Sequence, residues 1–191
     1  MTCIVGLIDK TTDTVWMGGD SLASYEDDVS IEIRVEPKVF KSGNLLLGIC
    51  GSSRMAQILR YLSPAPMPAI GQDIHEFMVT TFVEGVRIQQ KEFGCAEVKD
   101  SVETMSGDIL VGFHGRLFTV HSDYDVGHVA GDYAVVGCGR DLAMGSLFTT
   151  AKMKMAPKKR VLTALEAAEE WSAGVRRPFV IEKLPPIAEE G

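Results

Sequence analysis

The sequence predicts an α+β domain in which two largely antiparallel sheets are covered by helix pairs, and three observations carry that prediction. Strand-like runs follow one another directly, so they pair as hairpins instead of alternating with helices as a doubly wound fold requires. The elements run in the order strands, two helices, strands, two helices, strand. The 191 residues suit a single domain spanning 1–191, and a chain of that size buries roughly 70% of its unfolded surface without needing disulfides.

Each element has its own signal. CIVGLID (3–9) and TVWMGG (14–19) are β-rich runs separated by KTTD, a hairpin pattern. SIEIRVE (30–36) alternates apolar and polar residues and is expected as a half-buried strand. NLLLGIC (44–50) is a continuous apolar run of buried-strand length, entered through a Ser-Gly turn. Ser52 or Ser53 caps a helix holding MAQILRYL. SPAPMPAIG (63–71) is a loop, because three prolines forbid a continuous helix. Asp73 precedes a long helix ending near Gly94, with Ile74, Phe77, Met78, Thr81, Phe82 and Val86 on one face.

The second half reads similarly. CAEVKDSVETMSG (95–107) is expected as a polar connection, and DILVGF (108–113) pairs with RLFTVHS (116–122) around His114-Gly115. DYAVVGCG (132–139) is a strand, 140–154 a helix, and MAPKK an interruption. From 160, Val161, Ala164, Leu165, Ala168 and Trp171 form a helical stripe ending at Gly174. PFVIEKL (178–184) is a last strand and PPIAEEG a frayed tail.

Composition narrows the function. Lys and Arg total 19 against 26 Asp and Glu, a net charge of −7, which argues against nucleic acid or an anionic membrane as the main partner. No apolar run approaches the ~20 residues of a membrane span. Cys3, Cys50, Cys95 and Cys138 form no C-x-x-C pair, and no histidine stands at zinc-finger spacing, so neither metal nor cofactor is expected. With no signal-peptide pattern at the start, reduced thiols in a cytoplasmic protein are the expectation. His121-Ser122-Asp123 is expected as a turn and not a triad, because adjacent residues on a strand end point in different directions.

Three residues make a specific chemical proposal. A first hairpin centred on Thr11-Thr12 pairs residues whose numbers sum to about 23. Asp20 then faces Cys3, beside Thr2. Lys38, at the edge of Val39-Phe40, fits the same place. A threonine hydroxyl is a weak nucleophile and needs a base. A freed α-amine, with a pKa of about 8, suits neutral pH. Asp20 pairs with Lys38 and orients it, and the Gly51 backbone N–H, in the turn opening a helix, is placed for a tetrahedral oxyanion. Alone, Thr2, Asp20 and Lys38 each have an ordinary structural reading; their joint order carries the functional one.

On these residues the chain resembles the proteasome β-type N-terminal-nucleophile (Ntn) hydrolases, nearest in layout to the bacterial HslV peptidase. The matching segments are TCIVGLID, VWMGGDSLAS, EPKVFKSGNLLLGICGSS, GDILVGFHGRLFTV, YAVVGCGRDLA and ALEAAEEWSAG, in family order over nearly the whole length. The resemblance implies a four-layer αββα sandwich and a cofactor-free threonine endopeptidase that acts on peptides or unfolded proteins. It implies a homo-oligomeric ring and a partner unfoldase ATPase. Thr2, exposed by removal of Met1, is the implied nucleophile, with Asp20, Lys38 and Gly51 completing the catalytic set. Ala23 and Ser24 would pair with substrate, and Ile49 and Ser53 would line the specificity pocket, with Phe40 nearby. The family's glycine-serine-glycine segment reads Gly137-Cys138-Gly139 here, and its late supporting aspartate is read as Glu170, with Ala173 at the position of a serine. A small-molecule amidohydrolase, and a catalytically silent ring component retaining Met1, are the alternative readings.

Overall fold

A computed structural model describes residues 1–24, 30–62 and 66–186. In chain order the elements are β1 (Cys3–Asp9), β2 (Thr14–Gly19), β3 (Leu22–Ser24), β4 (Ile31–Ile33), β5 (Val39–Ser42), β6 (Leu45–Gly51) and α1 (Ser53–Tyr61). Then come α2 (Ile74–Phe77), a π-helical turn (Met78–Phe82), α3 (Val83–Glu92), β7 (Ala96–Lys99), β8 (Val102–Met105), β9 (Gly107–Phe113) and β10 (Arg116–Val120). The chain continues through β11 (Val126–His128), β12 (Tyr133–Gly137), α4 (Arg140–Thr150), α5 (Pro157–Trp171) and β13 (Val180–Leu184).

Two antiparallel sheets, ordered β12-β1-β2-β13 and β11-β10-β9-β6-β5, pack face to face. Helices α4 and α5 cover the first sheet, and α1 with the α2–α3 pair covers the second. The result is a four-layer αββα sandwich, and its three apolar interlayers follow from strand periodicity. In β1, Cys3, Val5 and Leu7 face Leu147, Val161 and Leu165 of α4 and α5. The alternate Ile4 joins Met17, Leu46 and Leu110 between the sheets. Leu45, Leu47 and Ile49 of β6 face Met55, Leu59, Phe77 and Phe82 under the other helices. The sheets approach closely at Gly48, where a Cβ would lie 2.4 Å from Ile4 Cγ2. Gly145 of α4, in contrast, has open space around it. Gly145→Ala is therefore expected to stabilise the fold by about 0.5–1 kcal/mol through helix propensity, read as a higher urea midpoint.

Four stretches depart from expectation. Of 30–36 only Ile31–Ile33 is strand, and it pairs with β3 outside both main sheets with every residue exposed. Its alternation therefore marks a surface arm, not a half-buried strand. The segment 95–107 is not a plain connection: β7 and β8 form a hairpin through Asp100 and Ser101, both at positive φ (51° and 67°). That pair of conformations is a type I′ turn, here made without the usual Asn-Gly. The stripe on the long helix changes phase, because the π turn inserts one extra residue. Thr81 turns outward, and Val83 and Gln90 are buried in its stead. Finally, α5 begins within MAPKK: Pro157 occupies the first helical position, where its missing N–H costs nothing. Trp171, at the far end of that helix, is 79% exposed and lies outside the stripe. The tail 187–191 and positions 63–65 of the proline loop lie outside the described residues. No helix among the described residues is long and apolar enough to cross a membrane.

Candidate active site

The first hairpin builds the site. Ile4 pairs with Gly19, so the expected sum of 23 holds. One step beyond the ladder, the Cys3 N–H donates to Asp20 Oδ1 at 2.9 Å, and the Asp20 N–H points back to the Cys3 carbonyl at 3.4 Å. The other carboxylate oxygen accepts from Leu22 N at 3.0 Å. Asp20 is thus locked by two backbone donors, with its side chain 0% exposed.

Lys38 arrives just ahead of β5 and closes the constellation. Its Nζ donates to Asp20 Oδ1 at 2.9 Å, to Thr2 Oγ1 at 3.0 Å and to the Met1 carbonyl at 3.3 Å. An ammonium has three N–H donors, and all three are used. The Lys38 side chain is 18% exposed, and Thr2 as a whole only 2%. The pair is therefore strongly desolvated, and its geometry decides whether burial is tolerated. Thr2 Oγ1 itself donates to the Met1 carbonyl, and the Met1 amine donates to Ser24 Oγ at 3.3 Å.

On the other side of Thr2, β12 ends at Gly137 with φ +100°. Its backbone passes so close that a Cβ would lie 2.2 Å from the Thr2 carbonyl oxygen. The next residue, Cys138, places Sγ 3.3 Å from both Thr2 N, which donates to it, and Thr2 O. The thiol also lies 3.7 Å from the Gly174 carbonyl and 3.9 Å from Ser172 Oγ. Burial pushes the Cys50 thiol up to about 11, and burial, then the Asp20 charge, pushes Cys3 higher still, so these two pack as inert thiols.

Glu170 does not support the chain start. It is exposed on α5 and has no hydrogen bond or ion pair among the described residues. Glu169 carries the structural load instead, accepting from the Arg177 backbone and guanidinium at 2.8 Å each. The neighbour of Cys138 is Ser172, not Ala173. A one-residue slip on a helix turns a side chain by about 100°, and Glu169 with Ser172 keeps the same three-residue spacing as Glu170 with Ala173. That spacing was the available signal for Ser172.

Gly51 stands at φ +135°, and a Cβ there would lie 2.2 Å from the Ser106 carbonyl. Ile49 N donates to the Lys38 carbonyl at 2.9 Å. Backbone donors two residues apart on a strand share a side, so the Gly51 N–H points the same way, past the start of β5. A cleft of about 770 Å³ opens there, lined by Thr2, Lys38 and Gly51. Ala23, Ser24, Phe40, Ile49 and Ser53 line it too. Residues 121–123 form a turn, with Tyr124 N donating to the His121 carbonyl at 2.9 Å.

No protein-family model matches the chain, and no curated protein sequence matches it. Solved structures do. Thiobacillus denitrificans BPH superposes with a TM-score of 0.79 at 15% identity, covering 99% of this chain and all (100%) of that one. BPH in complex with epoxomicin gives 0.77 at 15%, covering 97% and 100%. HslV from Trypanosoma brucei gives 0.67 at 14%, covering 96% and 99%.

The chain has the HslV fold.

Anbu from Yersinia bercovieri shares that fold, with a TM-score of 0.64 at 14% identity over 97% of this chain and 82% of that one. Coverage of nearly the whole chain makes the HslV-type fold a property of the full sandwich and not of one sheet. At these identities the likeness is one of architecture, and the chemistry rests on the side chains at the chain start.

Proposed function

We propose that this protein is a threonine-type peptidase that opens peptide bonds through an acyl-enzyme on Thr2, once Met1 has been removed. The observation that carries this reading is the buried contact set Thr2 Oγ1–Lys38 Nζ–Asp20 Oδ1, at 3.0 and 2.9 Å, placed at the chain start. With Met1 attached, Thr2 N is an amide and cannot act as a base. With Met1 gone, the same nitrogen is an amine two bonds from Cβ and takes the hydroxyl proton. Oγ attacks the substrate carbonyl carbon, and the negative charge on the carbonyl oxygen falls to the Gly51 N–H. Collapse breaks the C–N bond, and the α-ammonium returns its proton to the departing amine. Water then attacks the ester with the amine again as base, releasing the acid and restoring Thr2. The Lys38 charge stabilises Oγ as it loses its proton, and Asp20 keeps that charge in place.

A homo-oligomeric ring that hides the site, feeding by an unfoldase ATPase, and unfolded proteins as the physiological substrates belong to the same reading and rest on resemblance. The test is intact mass before and after incubation with epoxomicin, the compound bound by the structurally similar BPH. The expected result is a chain lacking Met1 that gains one inhibitor mass on Thr2 and hydrolyses fluorogenic peptides. A chain that keeps Met1 sinks the peptidase reading in favour of a silent ring component. A chain that lacks Met1 yet takes up no inhibitor and hydrolyses no peptide points to a small-molecule amidohydrolase.

A further inference from the structure

Helix α1 forms one wall of the cleft, and its last turn carries Arg60. The guanidinium lies over the Phe40 ring, 5.4 Å from its centroid, and at the same 5.4 Å from the ring of Tyr61. Phe40 is 4% exposed and Ile49 3% exposed, so Arg60 stands against an apolar floor and is attracted to the face of the Phe40 ring. No carboxylate among the described residues pairs with it, and the same holds for Arg54 on the same wall. Of the two acids that line the cleft, Glu32 is engaged by Arg34 at 2.9 Å and Glu36 pairs with neither Arg54 nor Arg60; Asp20, below the cleft, is committed to Lys38. In a protein of net charge −7, two guanidinium groups thus stand on the wall of the candidate active-site cleft with no carboxylate partner among the described residues. An arginine held beside two aromatic rings, with no carboxylate partner among the described residues, can bind a carboxylate through two parallel hydrogen bonds.

We infer that Arg60 is a specificity residue, selecting peptides whose side chain in the pocket of Phe40, Ile49 and Ser53 is acidic, a glutamate or an aspartate. This rests on the peptidase reading above, and the experiment separates the two. Three fluorogenic tripeptide coumarin amides, ending in Glu, Leu or Arg before the leaving group, are compared on the intact protein, with epoxomicin labelling of Thr2 run in parallel. The Glu peptide is expected to exceed the other two in kcat/KM by about tenfold, the scale of one charge-assisted hydrogen bond. Arg60→Gln is expected to reduce the Glu-to-Leu ratio by about the same factor, and Arg60→Lys, which keeps the charge but loses the fork, to retain part of it. If Thr2 is labelled yet the Leu or Arg peptide equals the Glu peptide, or if neither Arg60 variant changes the ratio, the inference is wrong and the peptidase reading stands. If no label and no hydrolysis are seen, both fall together.

Discussion

On the proposed mechanism, replacing Lys38 by methionine is expected to lower peptide kcat/KM by about a thousandfold, the upper end of the range for removing a group that stabilises charge developing in the transition state. The size follows from the contacts: Lys38 Nζ is the only side-chain cation within hydrogen-bond distance of Thr2 Oγ1 among the described residues. A second consequence is thermodynamic. The Asp20 carboxylate would be left fully buried with only the Cys3 and Leu22 amides facing it. Breaking a buried pair costs roughly 3–5 kcal/mol, because one charge remains uncompensated. The lower end, about 3 kcal/mol, is expected because Lys38 retains 18% exposure. Adding Asp20→Asn in the same chain removes that charge while keeping an acceptor for Cys3 N. Part of the stability should return, and none of the activity. Urea midpoints and peptide hydrolysis on the two variants read the two effects separately. A Lys38→Met protein that keeps a tenth of its activity would show that the ion pair is structural only.

Gly137→Ala is expected to be as damaging for a purely steric reason. The residue sits at φ +100°, where a side chain brings about 1–3 kcal/mol of strain. The new Cβ would lie 2.2 Å from the Thr2 carbonyl oxygen. That oxygen belongs to the backbone and cannot swing aside as a flexible side-chain end could, so either β12 or the chain start must move. If Thr2 is the nucleophile proposed above, displacing it by about 1 Å costs on the order of a hundredfold in rate. The expected variant is therefore destabilised by about 3 kcal/mol and slowed about a hundredfold in acylation by epoxomicin. Unchanged labelling kinetics in a folded Gly137→Ala protein would mean that Thr2 is not held by this contact.

Much of the site is legible in the sequence, because hairpin geometry is local. Once residues 3–9 and 14–19 pair with a short turn, Asp20 has nowhere to go but beside Thr2. Lys38 is less legible: its alternating neighbours predict a strand through 30–36, whereas the chain forms only the exposed Ile31–Ile33 and bends back. The lysine still reached the site because Val39 and Phe40 are apolar enough to anchor β5. Spacing alone does not choose between Glu169 and Glu170, because two adjacent glutamates offer two helix phases. Only the packing of α5 against β1 selects Glu169 to face Arg177 and Ser172 to face Cys138.

By itself the sequence determined the order of elements, the facing of each core strand, and the pairing of the first hairpin, since all three follow from residue spacing and short turns. Tertiary structure alone decided that Cys138 meets Thr2 with Ser172 beside it, and how Arg60 comes to rest on Phe40. Those contacts join residues from opposite ends of the chain or from separate layers of the sandwich. No local periodicity encodes them, because they exist only once the two sheets have closed on their shared apolar core.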